Sequence, residues 1–218
     1  MNRRTLPAAV VFAAATALLL TACGGGDEEP KDKGKIAGAE TGDAQKKESP
    51  SASAKSDAGR PEVKLPDDIK AVFQNWKTGD PKSDAVLADA AHRIDATNYA
   101  IAQGDADEPT LGFYYKGDAL IGAAQWVKEF KDAGKSMTGT TRFFDPDVKV
   151  QSEDLATLTY CSFEGEAYVK DRKTGKAKKT PVTDKSYSLF STRLEKTAKG
   201  VWQTSALDSQ RGNDACTP

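Results

Sequence analysis

The feature that most constrains the fold of this 218-residue chain is a change in the spacing of its apolar residues near Gly134. Before this point, apolar residues recur every three to four positions, which is the period of an amphipathic helix. Beyond it, apolar and polar residues alternate, which is the period of a strand with one buried face. Helices followed by strands predict an α+β domain in which the helices pack on a curved antiparallel sheet.

Three helical regions are predicted in the first half. A short amphipathic segment opens at Pro-Asp-Asp, residues 66–68, carries apolar side chains at 69, 72, 73 and 76, and ends at Gly-Asp-Pro, 79–81. A longer helix covers 82–103, with apolar residues at i, i+3, i+4 and i+7. The third region contains residues 111–115 and 119–131 and ends before Gly134.

The second half predicts four strands. They cover residues 140–151, with a break near Asp145 and Pro146, then 155–170, 185–196 and 201–207. Only the tight segment 197–200 separates the last two strands, which predicts an antiparallel hairpin.

The N-terminus has the features of an export signal. Arg3 and Arg4 precede a 13-residue stretch, 8–20, that is apolar except for one threonine and too short to span a bilayer, which takes ~20 residues. It ends in Leu-Thr-Ala-Cys at residues 20–23, which resembles the bacterial lipobox. That resemblance implies cleavage of a signal peptide, 1–22, and a palmitate-type lipid anchor on Cys23. An ordinary secretory signal with a chance cysteine is the alternative, and the export route, Sec or twin-arginine, stays open.

The segment 23–60 is predicted to be a linker. After Cys23 it is rich in Gly, Ser, Ala and charged residues and contains no aromatic residue, so it cannot bury enough apolar surface to order itself. Its 37 residues after Cys23 would hold the following domain, on average, ~30–35 Å from the anchor. Residues 61–218 are long enough for one domain. We therefore expect a single α+β domain tethered to the extracytoplasmic face of the cell membrane.

The charge of the chain bears on its partners, and its cysteine content bears on disulfide formation. Removal of residues 1–22 leaves 29 basic against 32 acidic residues, a net charge of −3, which does not favour a nucleic-acid partner. With Cys23 lipidated, Cys161 and Cys216 remain, and an even pair in an oxidising compartment predicts one disulfide.

The order of elements resembles a known superfamily. Helices precede a long bent sheet, Cys161 follows the stretch 155–160 in a central strand, a terminal strand contains residues 200–204, and Cys216 closes the chain. This order is similar to small secreted lipoproteins of the nuclear-transport-factor-two-like, cystatin-like cone superfamily. The resemblance implies a concave sheet face with a pocket. In enzymes of this superfamily an Asp/His or Asp/Tyr set lies in that pocket.

The sequence does not predict a catalytic residue. His92 is the only histidine and lies off the apolar stripe of its helix, with Asp89 and Asp95 at i−3 and i+3 as on a solvated face. Histidine-based mechanisms are therefore disfavoured, and neither a metal site nor a cofactor is expected.

Two sets of residues are candidates for binding. The first is a group of aromatic residues that would line a pocket on the concave sheet face, with plain core packing as the alternative: Tyr115, Trp126, Phe144, Tyr160, Tyr187 and Trp202. The second is a basic hairpin tip that would contact anionic lipid or wall polymer, with a solvated hairpin end as the alternative: Lys170, Arg172, Lys173, Lys176, Lys178 and Lys179.

These expectations favour a non-enzymatic binding or accessory module of the cell envelope. Its partners would be the membrane, through Cys23, and an envelope protein or a small apolar ligand. The alternative function is a cone-fold enzyme of the isomerase, cyclase or dehydratase type that acts on a small apolar substrate.

Overall fold

The computed structural model describes residues 59–218. The predicted signal peptide, the lipid-bearing Cys23 and nearly all of the predicted linker lie outside these residues. The elements in chain order are β1 Ile69–Phe73, α1 Pro81–Gln103, α2 Pro109–Tyr114, α3 Gly117–Asp132, β2 Lys135–Val150, β3 Leu155–Asp171, β4 Ala177–Lys178, a 3-10 turn at Asp184–Ser186, β5 Tyr187–Lys196 and β6 Trp202–Arg211.

One six-stranded sheet organises the described residues. Its strand order is β1-β2-β3-β5-β6, and β4 pairs with β3 beside this path. All pairs are antiparallel except β1 with β2, which is parallel. The predicted α+β class is therefore confirmed, but the sheet is mixed rather than purely antiparallel.

The first predicted helix is wrong, because residues 69–73 form the edge strand β1. Ile69, Ala71 and Phe73 are the more buried residues of this strand and alternate with exposed positions, so the period is two. The apolar residues at positions 69, 72, 73 and 76 also fit a helical spacing, which is why the short segment misled the prediction. Ile69 pairs with Gly139 of β2. A Cβ added at Gly139 would lie 2.1 Å from the carbonyl oxygen of Glu166, so only glycine fits there.

The long helix α1 is the main support of the sheet. It begins at Asp80, whose carboxylate accepts a hydrogen bond of 2.8 Å from the amide of Ser83, and it ends at Gly104 in the left-handed conformation. One buried cluster joins this helix to the sheet: Val86, Leu87, Ala90 and Ile94 from α1, and Phe143, Ala156, Leu158, Tyr160, Leu194 and Trp202 from the strands. The C-terminal half of α1 packs on α2 and α3 through a second cluster that contains Ile101, Leu111 and Val127.

Irregular pairing shapes the long strands. The register of β2 on β3 shifts between Thr140 and Arg142 and again between Phe144 and Asp147, and Asp145 has a φ of 50°. Such bulges bend a strand and increase its twist. The predicted break near Pro146 is therefore a bulge within one continuous strand.

Cys161 and Cys216 form a disulfide with 5.5 Å between their Cα atoms. It ties the centre of β3 to the segment that follows β6, across a sequence separation of 55 residues. A bridge that closes a loop of this size typically contributes about 2–4 kcal/mol to the free energy of unfolding.

Candidate functional site

A cavity of about 980 Å³ lies between α1, α3 and the face of the sheet that the helices cover. Its walls are largely apolar, with aliphatic and aromatic side chains from both layers: Ile94, Ile101, Trp126, Phe130, Phe143 and Phe190. Strands β2, β3, β5 and β6 all contribute to it. Volume and lining are those of a site for a small, mainly apolar molecule.

The polar centre of the cavity is Arg93, which projects from α1 and is only 3% exposed. Its Nη1 donates to the hydroxyl of Tyr115 at 2.9 Å, and its Nη2 donates to the hydroxyl of Tyr160 at 2.7 Å. The guanidinium carbon also lies 5.4 Å and 6.0 Å from the two ring centroids. Burial opposes the charged form, but the two tyrosine oxygens outweigh it and raise the pKa of Arg93, so this group is a buried cation.

The two tyrosines differ in whether their hydroxyl groups have a hydrogen-bond acceptor. Thr97 donates to the carbonyl of Arg93 at 3.0 Å, and its Oγ1 lies 2.9 Å from the Tyr115 hydroxyl, which can therefore donate to it. For Tyr160 the structure gives no acceptor among the described residues, so its O–H is available to a ligand. Burial raises the pKa of Tyr160, which keeps this phenol neutral and able to donate.

Few carboxylates face the cavity. Asp118 and Glu164 are the acidic residues on its wall. Asp118 is exposed, whereas Glu164 accepts from Arg211 at 2.5 Å and from the Ser162 hydroxyl at 3.2 Å. Neither carboxylate is both buried and free of a cationic partner. The geometry therefore offers binding groups more readily than a general base.

The predicted aromatic set divides into two. Tyr115, Trp126 and Tyr160 line the cavity, but Phe144, Tyr187 and Trp202 do not, contrary to the sequence prediction. In β2 it is Phe143, on the same strand face as Met137 and Thr141, that lines the cavity instead of Phe144.

The other two aromatic residues have structural partners. Tyr187 packs on Phe163, with 4.9 Å between ring centroids. Trp202 is 2% exposed and belongs to the core cluster under α1. Both side chains serve packing, as the alternative interpretation held.

Four of the six basic residues predicted at the hairpin tip are exposed. Lys170 pairs with Asp68 across the sheet edge. Arg172 donates to the carbonyls of Ala102 at 2.7 Å and Ile101 at 2.6 Å, so it caps the C-terminus of α1. Four lysines of the tip are exposed, and Lys178 among them also lines the cavity: Lys173, Lys176, Lys178 and Lys179.

The region around the only histidine lies outside the cavity wall. His92 is exposed, and its ring stacks on Tyr114 with 5.8 Å between centroids. Desolvation there lowers the pKa of His92. The expectation of a solvated face is wrong for Asp89, which is fully buried, and for Asp95, whose Oδ1 is buried with no hydrogen-bond partner among residues 59–218.

Asp95 gives the domain a pH dependence. Desolvation raises the pKa of Asp95 to about 6, whereas an unfolded Asp titrates near 3.9. Because the folded pKa is the higher one, the protonated carboxyl stabilises the fold below about pH 4, and this contribution is lost as pH rises through 6. We expect the free energy of unfolding of Asp95→Asn to equal that of the parent at pH 4 and to exceed it by about 2 kcal/mol at pH 8. Urea unfolding of parent and variant at both pH values measures the two differences. The same difference between variant and parent at pH 4 and at pH 8 would contradict the prediction.

Fold and cavity together define a class: an α+β domain whose helices cover one face of a bent, mixed sheet around a mainly apolar cavity. No protein-family model matches the chain, and neither does a curated protein. Two solved structures with a similar chain trace are a ketosteroid isomerase-like protein from Erwinia carotovora atroseptica and a domain of unknown function with a cystatin-like fold from Nostoc punctiforme.

Both similarities are low. The first structure has 16% identity and a TM-score of 0.42, and the match covers 62% of this chain and 98% of the other. The second has 17% identity and a TM-score of 0.37, with 62% and 79% covered.

Proposed function

We propose that this chain is an extracytoplasmic lipoprotein whose domain binds a small, mainly apolar molecule between α1, α3 and the sheet. The observation that carries the binding role is the cavity of about 980 Å³, with aromatic and aliphatic walls and one buried polar centre. Ligand sites in proteins typically combine such walls with a few convergent polar groups. The proposal assigns no reaction to the cavity.

The enzymatic alternative needs a group that can exchange a proton with the substrate at neutral pH. The carboxylates on the cavity wall are the exposed Asp118 and the Arg211-paired Glu164. The buried Asp89, paired with Arg60, does not line the cavity, and neither does Asp95, whose pKa desolvation raises to about 6. Since none of these carboxylates is both buried and directed into the cavity, the geometry favours binding over an isomerase, cyclase or dehydratase.

The proposed tether rests on the sequence alone. The apolar segment 8–20 and the lipobox-like residues before Cys23 support lipidation, and the composition of the segment 23–60 supports a long linker. Within residues 59–218, α1 to α3 include no helix with the length and apolarity that a bilayer crossing requires. In this proposal the lipid on Cys23 holds the domain at the membrane.

Cys23→Ala tests the tether. We expect the parent, expressed in bacteria with its own leader, to sediment with membranes and to enter the detergent phase, and the variant to lose both properties because no acyl chain is attached. The matched control removes the other two cysteines, Cys161→Ala with Cys216→Ala, and should stay in the membrane fraction. Unchanged partitioning of Cys23→Ala would overturn the anchor.

A further inference from the structure

Arg93 is a buried cation whose counter-charge is missing from the described part of the chain. It is 3% exposed, and its hydrogen-bond partners are the hydroxyls of Tyr115 and Tyr160. No carboxylate of residues 59–218 forms an ion pair with it. A buried charge without a partner is costly, and proteins normally supply an opposite charge or solvent.

We propose that the cavity ligand supplies this charge: it is an apolar chain that ends in a carboxylate, bound by Arg93 and Tyr160. This inference rests on the proposed binding function and specifies the ligand class for the same cavity.

Unused donors converge on this point. A guanidinium has five N–H donors, and the two tyrosine hydroxyls occupy one on each Nη atom. The Nε of Arg93 is buried without a hydrogen-bond partner among the described residues. The O–H of Tyr160, 2.7 Å from Nη2, is a further donor. A carboxylate accepts several such hydrogen bonds in the plane of a guanidinium, and charge-assisted bonds of this kind are short and strong.

The rest of the cavity agrees with an anionic head and an apolar tail. Four basic side chains line it against two acidic ones, and Arg211 already pairs with Glu164. Lys178 and Lys185 are exposed at its rim, where they would attract an anion. The same cavity has apolar walls, with residues such as Ile94 and Phe190, which suit a hydrocarbon chain.

Two probes of equal chain length test the inference: decanoate and 1-decanol, titrated by calorimetry at pH 8. We expect decanoate to bind ~10- to 100-fold more tightly, as hydrogen bonds to a buried charge imply. Arg93→Met should abolish this preference while binding of 1-decanol persists. Arg142→Met is the matched control, because Arg142 lies over the ring of Phe163 outside the cavity wall and its removal changes the net charge equally.

Tyr160→Phe keeps the ring and removes one donor, so it serves if Arg93→Met fails to fold. It should reduce the preference for decanoate by ~5- to 10-fold and leave the affinity for 1-decanol unchanged. Equal affinity for both probes, or a preference that survives Arg93→Met or Tyr160→Phe, would refute the anionic ligand but not the cavity function. If neither probe binds the parent, the proposed binding function itself is refuted.

Discussion

Ala123→Trp should abolish measurable binding of 1-decanol, a loss of ~100-fold or more in affinity. Ala123 lies on α3, is 8% exposed and lines the cavity, so an indole at this position would occupy the space that the ligand needs. Steric exclusion of this kind is among the largest effects that a single substitution has on binding. Calorimetric titration of parent and variant measures it.

Position 122 provides a second blocking variant and position 125 a control. A Cβ added at Gly122 meets no atom within 4 Å, and this residue also lines the cavity, so Gly122→Trp should weaken binding without a clash at its Cβ. Gln125 is exposed on the same helix and does not line the cavity. Gln125→Trp should bind like the parent. If both blocking variants also bind like the parent, the ligand lies elsewhere.

The largest loss of stability is expected from Asp89→Ala, which should lower the free energy of unfolding by about 3–5 kcal/mol. Asp89 is fully buried and accepts from Arg60 at 2.7 Å and 2.9 Å and from the amide of Trp202 at 2.9 Å. The substitution removes the carboxylate that faces Arg60 and leaves the Trp202 N–H without this acceptor. Urea unfolding followed by fluorescence measures the change.

Asp132→Ala is the control for Asp89→Ala. Asp132 forms an ion pair with Lys128 on the surface of α3, where the carboxylate is 59% exposed. Exposed pairs of this kind contribute at most about 0.5 kcal/mol. A loss at Asp89 no larger than the loss at Asp132 would show that the buried network does not hold α1 to the start of β6.

The helices and long strands could be predicted because their periods are sustained. Burial alternates over the first six residues of the 17-residue strand β3, and α1 repeats its apolar stripe over 23 residues, so local pattern and tertiary burial agree there. Strand β1 has only five residues, over which helical and extended periods match equally well. Its pairing with β2, more than 60 residues away, decided between them, and no local pattern contains that information.

The cavity was predicted only in part, because the sequence alone does not say which of two adjacent aromatic residues faces inward. Phe143 shares the strand face of Met137 and Thr141 and lines the cavity, whereas Phe144, one position further, lies on the other face. Tyr187 packs on Phe163 and Trp202 in the core cluster under α1. These positions depend on how the strands pair, which the amino-acid composition does not encode.

Arg93 and Asp89 were missed because charged residues in a helix are normally solvated. A signal for Arg93 was present: it follows Val86 by seven residues and Ala90 by three, which places it on an apolar side of α1. Its hydrogen-bond partners are Tyr115, which directly follows α2, and Tyr160 of β3, and only the folded chain brings them together.

The three tryptophan indoles test the central claim, that the cavity is a ligand site. Trp126 lies on the cavity wall and is half-exposed, whereas the indole of Trp76 donates to the carbonyl of Leu87 at 2.8 Å and Trp202 is buried in the core. In a titration of ¹⁵N-labelled protein with 1-decanol, we expect the Trp126 indole signal to shift with saturation while those of Trp76 and Trp202 stay in place. If no signal shifts, or all three shift together, the ligand does not occupy the cavity and the proposed function is wrong.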